Sequence, residues 1–197
     1  MTRIIGGAAG GRRIVVPPGS GTRPTTDRLR EAMFSSLEAE FGSFDGLAVM
    51  DLYAGSGAIG LEALSRGAAR VVLVESDRTA ADVVAANVKV VGLPGATVLT
   101  RPAEKVASGD NSAGPFDLVF ADPPYKLETL ELQEVLTSLR DNGWLTEDAV
   151  VVVERGKREP WEWPEGFSAL RDRKYGEARI WYGHRHDQGT GVNGASS

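Results

Sequence analysis

The 197-residue chain has no cysteine, only two histidines, and no apolar run near the roughly 18 residues that a membrane-spanning helix needs. Without cysteine there is no disulfide frame, no thiolate metal site and no thiol nucleophile. The two histidines, His184 and His186, sit beside Asp187 in a polar, Gly/Ser-rich terminal stretch. H-x-H-D can ligate a metal, but a solvated tail is the simpler reading, and no metal is expected. The opening M-T-R-I-I-G-G-A-A-G-G-R-R is basic and lacks the apolar core of a signal peptide. These absences lead us to expect a cytoplasmic protein with no membrane partner.

With 42% apolar and 25% charged residues, the composition is that of a globular domain, and the length suits one α/β unit. The net charge of −5 is unevenly spread. Residues 1–30 carry six arginines against the single acid Asp27, a local +5 that leaves −10 for the rest. A basic N-terminal face on an acidic body suits a polyanion docked at one edge, and suits a solvated arm equally well. Beyond it, T-T-D-R-L-R-E-A-M-F-S-S-L-E-A-E-F predicts a helix. Thr25, Thr26 or Asp27 caps it, and Leu29, Met33, Phe34, Leu37 and Phe41 fall at helical spacing.

Strands and helices then alternate. Strands are predicted at 47–52, 70–75, 96–100, 116–121 and 149–154, with helices between them. Nearly continuous Val/Leu runs indicate a parallel sheet covered on both faces. The segment F-S-A-L-R-D-R-K-Y-G-E-A-R-I-W-Y predicts two further strands around Gly176, an antiparallel edge hairpin. Three regions follow: a basic arm over 1–22, a catalytic-type domain over 23–183 and a disordered tail over 184–197.

Two stretches carry chemistry. In D-L-Y-A-G-S-G-A-I-G, Gly55, Gly57 and Gly60 form a G-x-G-x-x-G turn at the end of the first central strand. Many cofactor binders share this turn. Asp51 before the loop would repel a pyrophosphate but can accept from an ammonium group, and Glu75, ending the next strand, is placed for ribose hydroxyls. The loop lacks the P-loop lysine. These features favour S-adenosylmethionine over NAD. The second stretch, F-D-L-V-F-A-D-P-P-Y, closes an apolar strand with Asp122, Pro123, Pro124 and Tyr125. The prolines stiffen the loop and keep Asp122 extended. The Asp122 carboxylate and the Pro123 carbonyl then form two acceptors for one NH₂ group, with Tyr125 to stack on its base. A helix-capping turn is the simpler alternative for D-P-P. Trp161 and Trp163 can stack on RNA bases, but packing on the sheet edge suits them better. Arg155, Lys157 and Arg158 either reach phosphates or form a solvated turn.

The chain resembles the bacterial 16S ribosomal RNA guanine-N2 methyltransferases that modify guanine 966. The likeness runs from Arg3 to about Tyr182 and rests on R-I-I-G-G, R-P-T-T-D-R-L-R-E-A-M-F, the glycine loop, D-P-P-Y and D-N-G-W-L. R-P-T-T-D-R-x-R-E is the most specific of these. The resemblance implies a Rossmann-like class I methyltransferase fold: a mostly parallel seven-stranded sheet with an antiparallel edge hairpin, plus an N-terminal β-hairpin arm. It implies S-adenosylmethionine as donor. Asp51, Tyr53, Ala54, Gly55, Ser56 and Gly57 would hold its methionine part, and Glu75 with Ser76 its ribose. Arg23, Thr25 and Thr26 would close over it. Relatives often carry Asp or Asn near the adenine, where this chain has Pro102, so Ala103 or Glu104 would take that ring. Asp122, Pro123 and Tyr125 would present the guanine. Arg3, Arg12, Arg13, Arg28 and Arg30 would dock 16S rRNA of the small ribosomal subunit. Nothing demands a dimer, so a monomer is expected. Rival readings are a DNA adenine-N6 methyltransferase, which leaves no room here for a target-recognition domain, an NAD-dependent oxidoreductase resting on the glycines alone, and a non-catalytic RNA-binding module.

Overall fold

Strands with Val, Leu or Met at nearly every position have no polar face to offer water, so both of their faces must be covered. A computed structural model describes residues 1–18 and 26–186 and shows how this is done. In chain order the elements are β1 (Thr2–Arg3), β2 (Arg13–Ile14), α1 (Asp27–Phe41), β3 (Ala48–Leu52), α2 (Ala58–Ser65), β4 (Arg70–Glu75), α3 (Arg78–Val91) and β5 (Ala96–Thr100). Then follow α4 (Ala103–Ala107), β6 (Phe116–Ala121), α5 (Thr129–Asp141), β7 (Leu145–Gly156), β8 (Phe167–Tyr175) and β9 (Ala178–Arg185). One seven-stranded sheet runs β5-β4-β3-β6-β7-β9-β8. Strands β3 to β7 pair in parallel, and β9 is antiparallel to both β7 and β8. The order reverses between β3 and β6, which opens a crevice at their carboxyl ends.

Alternate residues serve the two faces. Val49, Val71, Leu118, Phe120, Val150 and Val152 pack with Leu29, Met33, Phe34 and Leu37 of α1, Leu61 of α2 and Val84 of α3. Met50, Val72, Val119, Val151 and Val153 pack with Val106 of α4 and with Leu132, Leu136 and Leu139 of α5. Helix α1 starts where expected: Thr26 Oγ1 accepts the Leu29 N–H at 3.2 Å, and Gly42 ends the helix with φ +75°.

Two boundaries differ from the sequence-based expectation. Strand β7 begins at Leu145 instead of 149, because Leu145 pairs with Phe116 before the register shifts to Leu118–Val150. The polar residues between them hide the strand's start. Strand β9 also takes in His184 and Arg185, correcting the tail expected from 184: His184 pairs with Val150, and Arg185 donates to the Leu145 carbonyl at 2.7 Å. Arg23, Thr25 and residues 187–197 lie outside the described residues.

The N-terminal segment is docked, not free. Strands β1 and β2 pair antiparallel, and Ile4, Ala9 and Ile14 are buried in the core shared by α1, α2 and α3. Buried Glu62 on α2 accepts the Ile5 and Gly6 N–H groups at 2.7 and 2.9 Å and pairs with Arg66 at 2.8 Å. Ser65 adds two anchors, accepting from Ala9 N–H and donating to the Gly6 carbonyl. Asn87 on α3 grips Val15 by both its N–H and its carbonyl. At Gly7, with φ +75°, a Cβ would lie 1.8 Å from the Ser65 carbonyl oxygen, so no larger residue fits.

Truncating Glu62 strips two backbone donors and leaves Arg66 with only its second partner, Glu38. Glu62→Ala is expected to lower unfolding free energy by about 3 kcal/mol in urea titrations and to accelerate hydrogen exchange first at the Ile5 and Gly6 amides. Unchanged exchange at those amides would contradict the docking role.

Candidate functional site

Four neighbouring parallel strands carry a carboxylate at or beside their carboxyl ends: Glu75 closes β4, Asp51 lies one residue from the end of β3, Asp122 follows β6 and Glu154 lies two residues from the end of β7. Two-residue alternation puts Asp51, Asp122 and Glu154 on the face covered by α1 and α2, in line with Val49, Phe120 and Val152.

After β3 the chain must turn sharply into α2. Tyr53 takes φ +60°, a strained value for a non-glycine residue and a mark of functional turns. Gly55 follows at φ +58°, and a Cβ there would meet nothing nearer than the Tyr53 carbonyl at 4.0 Å, so the loop presents backbone to open space. Gly60 serves packing instead: a Cβ would lie 2.9 Å from Leu73 and from Val71. Gly57 caps α2 without a side chain, and Asp51 supplies what is missing, its Oδ2 accepting the Gly60 N–H at 2.8 Å. Glu75 braces the other side, accepting from Gly55 N–H and Asp77 N–H, each at 2.9 Å. Ser56 contributes its carbonyl to Asn87 at 2.8 Å, and Ala54 N–H bonds the Val74 carbonyl at 2.9 Å, which ties the loop to β4 and α3.

Asp51 is only 2% exposed. Its expected partner was a ligand's ammonium group; the structure instead gives it a backbone N–H inside the protein. Burial pushes its carboxyl up to about 7, Gly60 pulls it back and the charge of Glu75 adds to the rise. Burial likewise raises the Tyr53 phenol, with Glu104 and Glu131 adding to the effect. Ser76 and Glu104 are exposed beside this loop, while Ala103 is buried at the head of α4, its N–H without an acceptor inside the helix. The donor set fits S-adenosylmethionine: an open backbone cradle flanked by carboxylates suits a ligand bearing an ammonium and a sulfonium, and opposes a pyrophosphate.

The second half of the site lies beyond β6. A cavity of about 690 Å³ is lined by Asp122, Pro123 and Tyr125, by Glu154 to Gly156 of β7, by Thr26, Arg28, Leu29 and Ala32 of α1, and by the β8–β9 turn from Lys174 to Ala178. Pro123 is buried and Tyr125 is 63% exposed, free to meet an incoming ring. Burial, then the charges of Glu154 and Asp51, raise the Asp122 carboxyl well above the ordinary carboxylate range. Glu154 and Tyr175 escaped the sequence reading. Glu154 closes a Val-rich run that reads as a core strand, and Tyr175 arrives from a hairpin over 50 residues away in sequence.

The arginines expected at RNA sort differently. Arg30 is fully buried, donating to Thr2 Oγ1, the Arg3 carbonyl and Asp27 at 2.7–3.0 Å, and cannot meet a phosphate. Arg3 pairs with Asp27 at 2.8 Å, and Arg12 donates to the Val90 and Val91 carbonyls at the end of α3. Arg13 and Arg28 are exposed. Arg155 is neither a phosphate ligand nor part of a solvated turn: it is buried, bonded to the Leu127 carbonyl and paired with Glu159 at 3.0 Å. Trp161 is 5% exposed and meets Trp163 edge-on at 5.4 Å, as packing predicts. Among the described residues no cluster of His, Asp and Glu could hold a metal, and no helix is long and apolar enough to cross a membrane.

The model of the family described as conserved hypothetical protein 95 matches residues 2–184. The ribosomal RNA small subunit methyltransferase D of Escherichia coli K12 is 41% identical over 152 residues, 77% of this chain and 73% of that protein. The protein of the same name from Haemophilus influenzae is 33% identical over 176 residues, 88% and 89% of the two chains. A solved Escherichia coli chain, yhhF, itself named only provisionally as a methyltransferase, superposes with TM-score 0.82 at 33% identity over 95% of this chain and 99% of that one.

Asp51 gives a signed test of the loop. Between the ordinary carboxylate range and about 7, the folded protein keeps a proton that the unfolded chain has lost. Stability therefore falls as pH rises through that interval and levels off above it. Asp51→Asn keeps an acceptor for Gly60 and removes the buried charge. It is expected to be more stable than wild type by about 2 kcal/mol at pH 8 and to converge with it near pH 4. Urea midpoints at the two pH values measure this.

Proposed function

The chain belongs to the family described as conserved hypothetical protein 95, which includes the small-subunit ribosomal RNA methyltransferases D, and we propose that it transfers a methyl group from S-adenosylmethionine to the exocyclic N2 amine of a guanine in 16S ribosomal RNA, guanine 966. The observation that carries this reading is the placement of Asp122, Pro123 and Tyr125 in the lining of the 690 Å³ cavity, one strand from the open glycine loop. S-adenosylmethionine, when bound, supplies an electrophilic methyl group on a sulfonium.

The chain's own residues do the rest. Tyr53 to Gly57, braced by Glu75, present backbone to the donor. An exocyclic amine on a base is a weak nucleophile because its lone pair is delocalised into the ring. Asp122 and the Pro123 carbonyl accept from its two N–H bonds and direct the lone pair outward, catalysis by orientation and electrostatics. The stiff D-P-P turn keeps those acceptors in place. Tyr125 stacks on the base, which must leave its neighbours to reach the cavity. The amine proton has the carboxylate side to leave toward, since Asp122 is already held above its ordinary range.

RNA docking centres on the cavity mouth more than on the N-terminal hairpin. Arg28 and Lys174 line the cavity, Lys126 follows Tyr125, and Lys157, Arg158 and Arg173 stand exposed on the adjoining loop and hairpin. The Lys157 N–H bonds the Glu177 carbonyl at 2.7 Å, joining the β7 end to the β8–β9 turn. A ribosomal RNA acceptor places the enzyme in the cytoplasm. We propose that it acts as a monomer without a metal, since no step above calls for either.

Asp122→Ala is expected to retain S-adenosylhomocysteine binding by calorimetry while kcat falls on the order of 10²- to 10³-fold; near-wild-type turnover would exclude the orientation mechanism. In wild type, the accepting form of Asp122 is the carboxylate, so kcat is expected to fall with decreasing pH through a value above the ordinary 4 or so. On salt dependence, Arg28→Ala and Lys174→Ala should each flatten the log–log slope of RNA affinity by about 1. Arg30→Met should leave that slope alone and lower stability instead.

A further inference from the structure

We infer that Glu154 selects guanine, its carboxylate accepting the ring N1–H while Asp122 and the Pro123 carbonyl hold the neighbouring amine. This rests on the amine-methylation reading above. Strands β6 and β7 run parallel in the register Val119–Val151, Phe120–Val152 and Ala121–Val153, and Asp122 and Glu154 each directly follow the last pair. Residues in register on adjacent parallel strands point to the same side, from backbones about 4.8 Å apart. Both side chains line the cavity, above the buried Phe120 and Val152 of the same face. The charge of Glu154 helps to hold the Asp122 carboxyl high, as expected for two acids sharing one site. The adjacent Arg155 is turned toward Leu127 and Glu159.

Two carboxylates lining one cavity suit a ligand edge carrying adjacent N–H donors. Among the three bases with an exocyclic amine, only guanine sets a ring N–H beside it. Adenine and cytosine place a lone pair there, which would face the Glu154 carboxylate. A base drawn into a pocket is read along this edge, and a buried acceptor facing a lone pair costs the site its missing hydrogen bond.

The test uses small subunits reconstituted with 16S RNA in which the guanine that wild type labels is replaced by 2-aminopurine, which keeps the amine and lacks the ring N1–H. Wild type is expected to lose about 10- to 100-fold in kcat/KM on this substrate. Glu154→Gln should show little preference between the two substrates, because its amide can offer the oxygen to the N1–H or turn its NH₂ toward a lone pair. Thermal stabilisation of the variant by S-adenosylhomocysteine reports its folding. Equal rates of wild type on both substrates, or an unchanged preference in the variant, would overturn the role of Glu154. Because 2-aminopurine lacks the O6 carbonyl as well as the N1–H, the variant's lost preference assigns the effect, and Glu154→Ala takes the place of Glu154→Gln if the latter does not fold. Failure of wild type to label guanine in any subunit would overturn the function itself, a result distinct from labelling without preference.

Discussion

Carboxylates at the ends of buried parallel strands organise this molecule. A strand covered on both faces can end only where its cover ends, and an acid placed there must find a donor or remain an unmet charge at the lip of an apolar core. Asp51 and Glu75 find donors in the chain itself, the N–H groups of Gly60, Gly55 and Asp77. Their hydrogen bonds shape the turn between β3 and α2. Asp122 and Glu154 line the cavity, and burial with the charges of Glu154 and Asp51 holds the Asp122 carboxyl above its ordinary range. One row of acids thus shapes the glycine turn at one strand end and lines the cavity at the next.

The N-terminal hairpin illustrates how charge in a sequence can mislead about partners. Its arginines look like an arm reaching for a polyanion. In the fold, Arg30 is an internal strut between α1 and the hairpin, and Arg12 fastens the hairpin to the end of α3. Arginine can serve as such a strut because its planar fork donates to several oxygens at once. The hairpin then covers the outer ends of α2 and α3, with Glu62 buried beneath it. The exposed cations around the cavity, Arg28, Lys126, Lys157, Arg158, Arg173 and Lys174, come from four separate chain segments.

The layout of the fold was legible because it follows from local rules. Valine runs required a two-sided sheet, glycines marked the turn after β3, and Thr25 to Asp27 marked the start of α1, where Thr26 is the cap. Register shifts and edge pairing were less visible. Polar residues at the start of β7 hide a strand that exists because β6 and β9 lie on either side of it. His184 looked like tail because its partner, Val150, is distant in sequence.

By itself, the sequence determined the chemistry within reach: D-P-P-Y limited Asp122 to an extended, rigid presentation, and the glycines demanded a tight turn beside acids. These are properties of backbone torsions and side-chain types over a few residues, so no distant contact is needed to specify them. Only the tertiary structure decided that Asp51 points inward to a helix terminus, that Arg30 is buried, and that Glu154 and Tyr175 share a cavity with Asp122. Each of those outcomes depends on which strands become neighbours and on what is left uncovered when helices settle over the sheet. Neighbourhood across a sheet is set by packing over the whole chain, and a residue's own short context carries no record of it.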